Sequence, residues 1–132
     1  MSSLKKRFLI VDDDPENNML SKMVLKRILG EVEITDFVEP EAGLEYIESQ
    51  FAKEAEGEKI VLFLDINMPT MSGWEFLDKF AAMVHTIIEQ FCIYILSSSV
   101  DPRDIQRANE NPLVAGIIEK PLDRKTLFEM FA

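Results

Sequence analysis

Four short runs of this chain are almost wholly apolar, and each is followed at once by polar groups. They are Phe8 to Val11, Ile60 to Leu64, Phe91 to Leu96, and Leu113 to Ile118 with Gly116 inside. Runs this short, without strict alternation, are what strands covered on both faces look like, as in a parallel sheet. A fifth run, Val32 to Val38, sets Glu33 and Thr35 between Val32, Ile34 and Phe37. That partial alternation suits a strand at a sheet edge.

Helical spacing fills the intervals. The first stretch opens with Asp14 as N-cap and Pro15 at the first helical position, stops at Gly30, and offers Leu20, Val24 and Ile28 as its buried stripe. The second, about Pro40 to Glu56, carries Leu44, Ile47 and Phe51 on one face and ends in the turn Glu56-Gly57-Glu58. In the third, Leu77, Phe80, Val84 and Ile87 recur at helical spacing and predict one long helix. A short fourth runs from Asp101-Pro102 to Asn111-Pro112, and the last starts near Asp123 and packs Leu127 and Phe131. Strand and helix thus alternate five times, with no repeat, low-complexity segment or linker. The expectation is one α/β domain over residues 1–132, a doubly wound parallel five-stranded sheet between helical layers, with no output domain.

Composition narrows the function. At 132 residues and 47% hydrophobic, the chain can bury one core. A formal net charge of −10 argues against direct nucleic-acid binding, which needs clustered Lys and Arg. Met1 to Arg7 is basic, but the apolar run after it ends at three aspartates, too short for a signal peptide or a membrane span. A cytoplasmic protein without membrane insertion is expected. The single cysteine, Cys92, lies in an apolar run and reads as a small buried hydrophobe in a reducing compartment.

In parallel α/β sheets the functional crevice lies outside the carboxyl ends of the strands. Those ends carry Asp12-Asp13-Asp14, Asp65, Ser97-Ser98-Ser99 and Glu119-Lys120-Pro121. Carboxylates gathered there repel one another and raise each other's pKa unless a cation shares the site. A magnesium ion, which takes oxygen ligands, suits them, and the lack of His or Cys in the cluster weighs against zinc. Asp65 can act as a nucleophile toward a phosphoryl group if Lys120 and a metal offset the charge, and the Ser97 hydroxyl can donate to a phosphoryl oxygen. Plainer roles exist for the same residues. The three aspartates can start a capped helix, Asp65 can form a turn, Lys120 can be solvated, and Ser98 and Ser99 can be scaffold. His85 reads as a surface residue with Glu89 as its only acid in register. The methionines fill the core, with Met68 and Met71 flanking and shielding the loop after Asp65.

Four segments, Phe8 to Pro15, Leu62 to Gly73, Ile93 to Ser98 and Gly116 to Pro121, together resemble the receiver domain of two-component response regulators over essentially the whole chain. The resemblance implies a (βα)5 fold of flavodoxin-like strand order 2-1-3-4-5. It implies Asp65 as phosphoacceptor, Asp12 and Asp13 as the acidic pair that holds Mg2+ (or Mn2+) together with Asp65, and the Asn67 backbone carbonyl as a further ligand. Ser97 becomes the switch hydroxyl, and Lys120 pairs with the phosphoryl group ahead of a cis bond to Pro121. A sensor histidine kinase or histidine phosphotransfer protein supplies the phosphoryl group from a phosphohistidine. The activity implied is self-phosphorylation and slow self-dephosphorylation, with an unknown downstream protein as the target. The chain departs from the family pattern where Ser97 replaces the commoner threonine and where Ile117 replaces a Tyr or Phe three residues before the lysine. The helix Pro102 to Glu110, the fifth strand and the last helix are the expected output face.

Two other functions compete. A haloacid-dehalogenase-like phosphatase would use Asp12 and Asp14, although Pro15 stands where that family has Thr or Val. A flavin module on the same strand order would need Gly, Ser and Thr donors after the first strand, where three acids would repel an anionic cofactor.

Overall fold

A computed structural model describes residues 6–52, 59–98 and 101–131. In chain order its elements are β1 (Lys6–Val11), α1 (Pro15–Leu29), β2 (Val32–Phe37), α2 (Pro40–Gln50), β3 (Ile60–Asp65), α3 (Gly73–Ala81), α4 (His85–Ile88), β4 (Phe91–Ser97), α5 (Pro102–Glu110), β5 (Val114–Glu119) and α6 (Arg124–Phe131). The five strands pair in parallel in the order β2-β1-β3-β4-β5. The flavodoxin-like order is therefore the one observed. Its reversal point lies between β1 and β3, so the crevice opens where Val11 and Leu64 pair.

Burial follows from strand position. In the central β3 every residue from Ile60 to Asp65 is buried, while β2 at one edge and β5 at the other are mostly half-buried. The run Leu113 to Ile118, expected to be covered on both faces, packs Ile117 against one core cluster and Ile118 against the other, but it lies at the sheet edge and is less buried than β3. Alternate residues of β1 face opposite layers. Leu9 and Val11 pack with Leu44, Ile47, Phe76, Phe80 and Ile95 on one side, whereas Phe8 and Ile10 pack with Leu25, Phe63, Leu122 and Leu127 on the other. Phe8 stacks on Phe63 at 6.0 Å between ring centroids and meets Phe131 edge-on at 5.6 Å. Each such fully buried apolar side chain contributes about 1.5–3 kcal/mol relative to exposure.

The ends of α1 are as expected. Asp14 accepts hydrogen bonds from the backbone N–H groups of Glu16 and Asn17, and Gly30, at φ +80°, donates its N–H to the Lys26 carbonyl. Its buried face is not. Leu20 is 52% exposed, and Val24 and Ile28 pack against the core only half-buried; the residues buried deepest are Asn17, Asn18, Ser21 and Leu25. The long third helix is also corrected. It breaks after Ala81, and α4 starts anew from an extended Val84, which is 59% exposed while Ile87 stays buried. Cys92 is half-buried rather than buried. The turn Glu56-Gly57-Glu58, residue Ser99 and the segment 1–5 lie outside the described residues.

Candidate functional site

The strand ends bring four charged side chains to one rim. The ladder between β1 and β2 extends one step beyond Val11, with Asp12 donating its N–H to the Phe37 carbonyl at 3.0 Å. Asp12 is thereby held with no exposed surface. Its Oδ1 accepts the Asp14 N–H at 3.0 Å, and its Oδ2 accepts the Asn17 side-chain amide at 2.8 Å. Asn18 donates its amide to the Asp12 backbone carbonyl at 3.0 Å. Asp65, 4% exposed, ends β3 one strand away.

Lys120 bridges the two buried acids, with Nζ 2.7 Å from Asp12 Oδ2 and 3.3 Å from Asp65 Oδ1. Its backbone is held in turn: the Lys120 N–H meets the Ser97 carbonyl at 2.8 Å, and the bond to Pro121 is cis. Burial pushes the Asp65 carboxyl up to about 6, helped by the charge of Asp12, although the charge and hydrogen bond of Lys120 pull the other way. Burial works against the Lys120 ammonium, but the hydrogen bond and charge of Asp12, followed by those of Asp65, outweigh it and hold the pKa above the ordinary lysine value. One ammonium between two carboxylates leaves the rim short of positive charge.

That deficit fits a cation. Asp12, Asp13 and Asp65 each offer a carboxylate oxygen, all within 4.8 Å of one another, in an all-oxygen set that could hold a metal ion. Asp13 is the most open of the three. Asn67 lies two residues beyond Asp65, exposed, in a loop closed by the Gly73 N–H on the Ile66 carbonyl at 2.7 Å. Only glycine fits that closure, since a Cβ at position 73 would stand 2.5 Å from the Asp65 carbonyl oxygen. Met68 and Met71 are buried in the core on the α3 side. Ser97, fully buried, ends β4 one residue beyond the Leu96 that pairs with Asp65. Ile117 is half-buried in β5 opposite Ile95.

Asp14 has a different role from its neighbours. It is exposed and its carboxylate caps α1, so it is turned away from the work that the acid of a phosphatase would require. His85 is exposed, 3.6 Å from Glu89, on α4 ahead of β4 rather than at a strand's carboxyl end. Asn17 and Asn18 are the residues that sequence reasoning missed. The signal for them was present in Asn18, Ser21 and Leu25 at helical spacing, but the more apolar set Leu20, Val24 and Ile28 outweighed it.

Residues 8–132 match the model of the response regulator receiver domain. Among solved structures, the chain is similar to a two-component response regulator from Cytophaga hutchinsonii, at 27% identity and a TM-score of 0.85, with 96% of this chain and 94% of that one covered. A response regulator receiver protein from Dyadobacter fermentans superposes with a TM-score of 0.83 at 24% identity, covering 95% and 94%. The chemotaxis response regulator CheY4 of Vibrio cholerae gives 0.71 at 22% identity, covering 96% of each chain. The last two speak for the fold alone. No curated protein matches the chain significantly.

Proposed function

Because the chain belongs to the response regulator receiver domain family of two-component systems, we propose that it is a phosphoacceptor that takes a phosphoryl group onto Asp65 from a phosphohistidine. The donor is a sensor histidine kinase or a histidine phosphotransfer protein. The observation that carries this proposal is the convergence of three carboxylates within 4.8 Å, with Lys120 shared between the two that are buried. Asp12, Asp13 and Asp65, with the Asn67 backbone carbonyl, are the ligands proposed for Mg2+ (or Mn2+). When bound, the ion offsets negative charge on the carboxylates and on the transferring oxygens.

The residues do the rest. An Asp65 carboxylate oxygen forms the new bond to phosphorus as the phosphorus–nitrogen bond of the phosphohistidine breaks, and the imidazole leaves and takes up a proton from water. Lys120 neutralises the phosphoryl group, and the Ser97 hydroxyl donates to one of its oxygens. The outcome is self-labelling followed by slow hydrolysis, not turnover. α1 presents exposed Met19, Leu20 and Met23 beside a groove of about 470 Å³ lined also by Leu122 and Arg124.

Incubation with acetyl phosphate and magnesium is expected to add one phosphoryl group per chain, read by intact mass. Chelator should prevent it, and Asp65→Asn should remove it. Labelling of Asp65→Asn to the parent's level would sink the assignment.

The output is proposed to be a protein contact made by α5, β5 and α6. Of α5 only Ala108 is buried, and Ile105 and Phe128 stand exposed on α5 and α6. Phosphorylation adds charge at Asp65, which draws the Ser97 hydroxyl toward it and shifts the chain beyond β4. Ile117, smaller than an aromatic ring, keeps the change modest. Beryllofluoride should therefore alter hydrogen exchange in Pro102–Glu110. Changes confined to α1 would place the output elsewhere.

A further inference from the structure

We propose that Asn17 is a positioning residue, an uncharged second donor that keeps the Asp12 carboxylate aimed when Lys120 turns from Asp12 to the phosphoryl group. The inference rests on the assignment of Asp65 as phosphoacceptor.

Asp12 is gripped on three sides. The Asp14 N–H holds Oδ1, the Asn18 amide holds the backbone carbonyl, and Oδ2 takes both Asn17 Nδ2 at 2.8 Å and Lys120 Nζ at 2.7 Å. Of these donors only Lys120 is shared with Asp65, at 3.3 Å. A phosphoryl group on Asp65 brings further negative charge and strong acceptor oxygens, and competes for that one ammonium. Once Lys120 turns, the buried Oδ2 would be left without a donor, the costly situation for an ionised group with no exposed surface. Asn17 prevents this, because its amide is set independently of Lys120. It lies in the first turn of α1, and its backbone N–H is drawn to the Asp14 cap at 3.4 Å.

The choice of residue points the same way. Asn17 is buried, and an amide taken out of water is unfavourable unless it is hydrogen-bonded. If the position served only packing, an apolar side chain would do better. Partners that orient a metal-binding carboxylate typically carry about 10- to 100-fold of the metal affinity. Asn17 would carry such a share through Asp12 while touching neither the metal nor the phosphoryl group.

The test has two arms, both made on the full chain. Magnesium titration by calorimetry should show affinity weakened about tenfold in Asn17→Leu, with at least partial recovery in Asn17→Gln, which retains the amide. Urea unfolding without metal should show Asn17→Leu and Lys120→Met coupled. The double variant's unfolding constant should exceed the product of the two single effects by about tenfold, because each donor covers for the other on Oδ2. Unchanged magnesium affinity together with single effects that simply multiply would overturn the proposal. The second arm needs neither metal nor phosphorylation. Failure of the parent to label would therefore strike the phosphoacceptor assignment, while the coupling still decides whether Asn17 and Lys120 share Asp12.

Discussion

Without divalent cation at pH 7.5, Asp65→Asn is expected to be more stable than the parent by about 2 kcal/mol and to lose that advantage as the pH falls toward 4. The cause is the position of Asp65 at the buried end of the central strand. Burial first, and the Asp12 charge second, raise its carboxyl from 3.8 to about 6 despite Lys120. Between these two values the folded chain binds more protons than the unfolded one, so the parent loses stability as pH rises through that window. A shift of roughly two units sets a ceiling of about 3 kcal/mol, fully expressed above the folded value and absent below the unfolded one. Asparagine keeps the shape and removes the charge, but gives up one partner of Lys120, which trims the gain. Urea midpoints from pH 4 to 8 would measure it. A parent that gains on the variant across this range would show that the Asp65 carboxyl is not raised. Magnesium should narrow the gap near neutral pH, since a ligand that binds only the folded, ionised site stabilises the parent by mass action.

The same position explains why so much of the site was legible in sequence. A parallel sheet orders its strands so that all carboxyl ends share one rim. Polar residues at or just past the ends of apolar runs, such as Asp12, Asp65, Ser97 and Lys120, are therefore neighbours in space whatever their separation in the chain. The acids could be placed by counting from the strand ends, and Gly30 and Asp14 bounded α1 through local chemistry that needs no tertiary context.

What was not legible depended on which way a helix turns. In α1 hydrophobicity pointed to Leu20, Val24 and Ile28, yet the helix presents Asn17, Asn18, Ser21 and Leu25 to the sheet. The grip of the two amides on Asp12 offers a physical reason for that rotation, since one hydrogen bond to its buried carboxylate, from Asn17, and one to its backbone carbonyl, from Asn18, outweigh the burial of a leucine that can stay partly wet. In the segment from Leu77 to Ile87 the apolar period continues through the break, because Ile87 of α4 falls by coincidence in register with α3. Periodicity is blind to a break that preserves the count. The edge character of β5 was hidden as well, because Leu113, Val114, Ile117 and Ile118 are as apolar as a central run and strand order is set by pairing, not by composition.

The largest effect is expected at Lys120. Lys120→Met keeps the length of the stem and removes the ammonium that bridges Asp12 and Asp65. Breaking a buried ion pair by deleting one partner costs about 3–5 kcal/mol, because the remaining charge is left uncompensated, and here two carboxylates are stranded. Metal-free Lys120→Met should therefore unfold at a much lower urea concentration than the parent at pH 8. The deficit should shrink on acidification. With the lysine gone, the Asp65 carboxyl loses the influence that lowers it, so it takes up a proton at a higher pH than in the parent and the repulsion with Asp12 is relieved. Magnesium should rescue the variant's stability more than the parent's, since a cation among Asp12, Asp13 and Asp65 takes over the compensation. It should not rescue labelling. On the proposed mechanism Lys120 neutralises the transferring group itself, and loss of one such donor slows transfer by about 10²- to 10³-fold. Acetyl phosphate labelling followed over time at saturating magnesium separates the two roles. Stability restored with labelling still slow is the expected result, whereas labelling at the parental rate would confine Lys120 to holding the acids together.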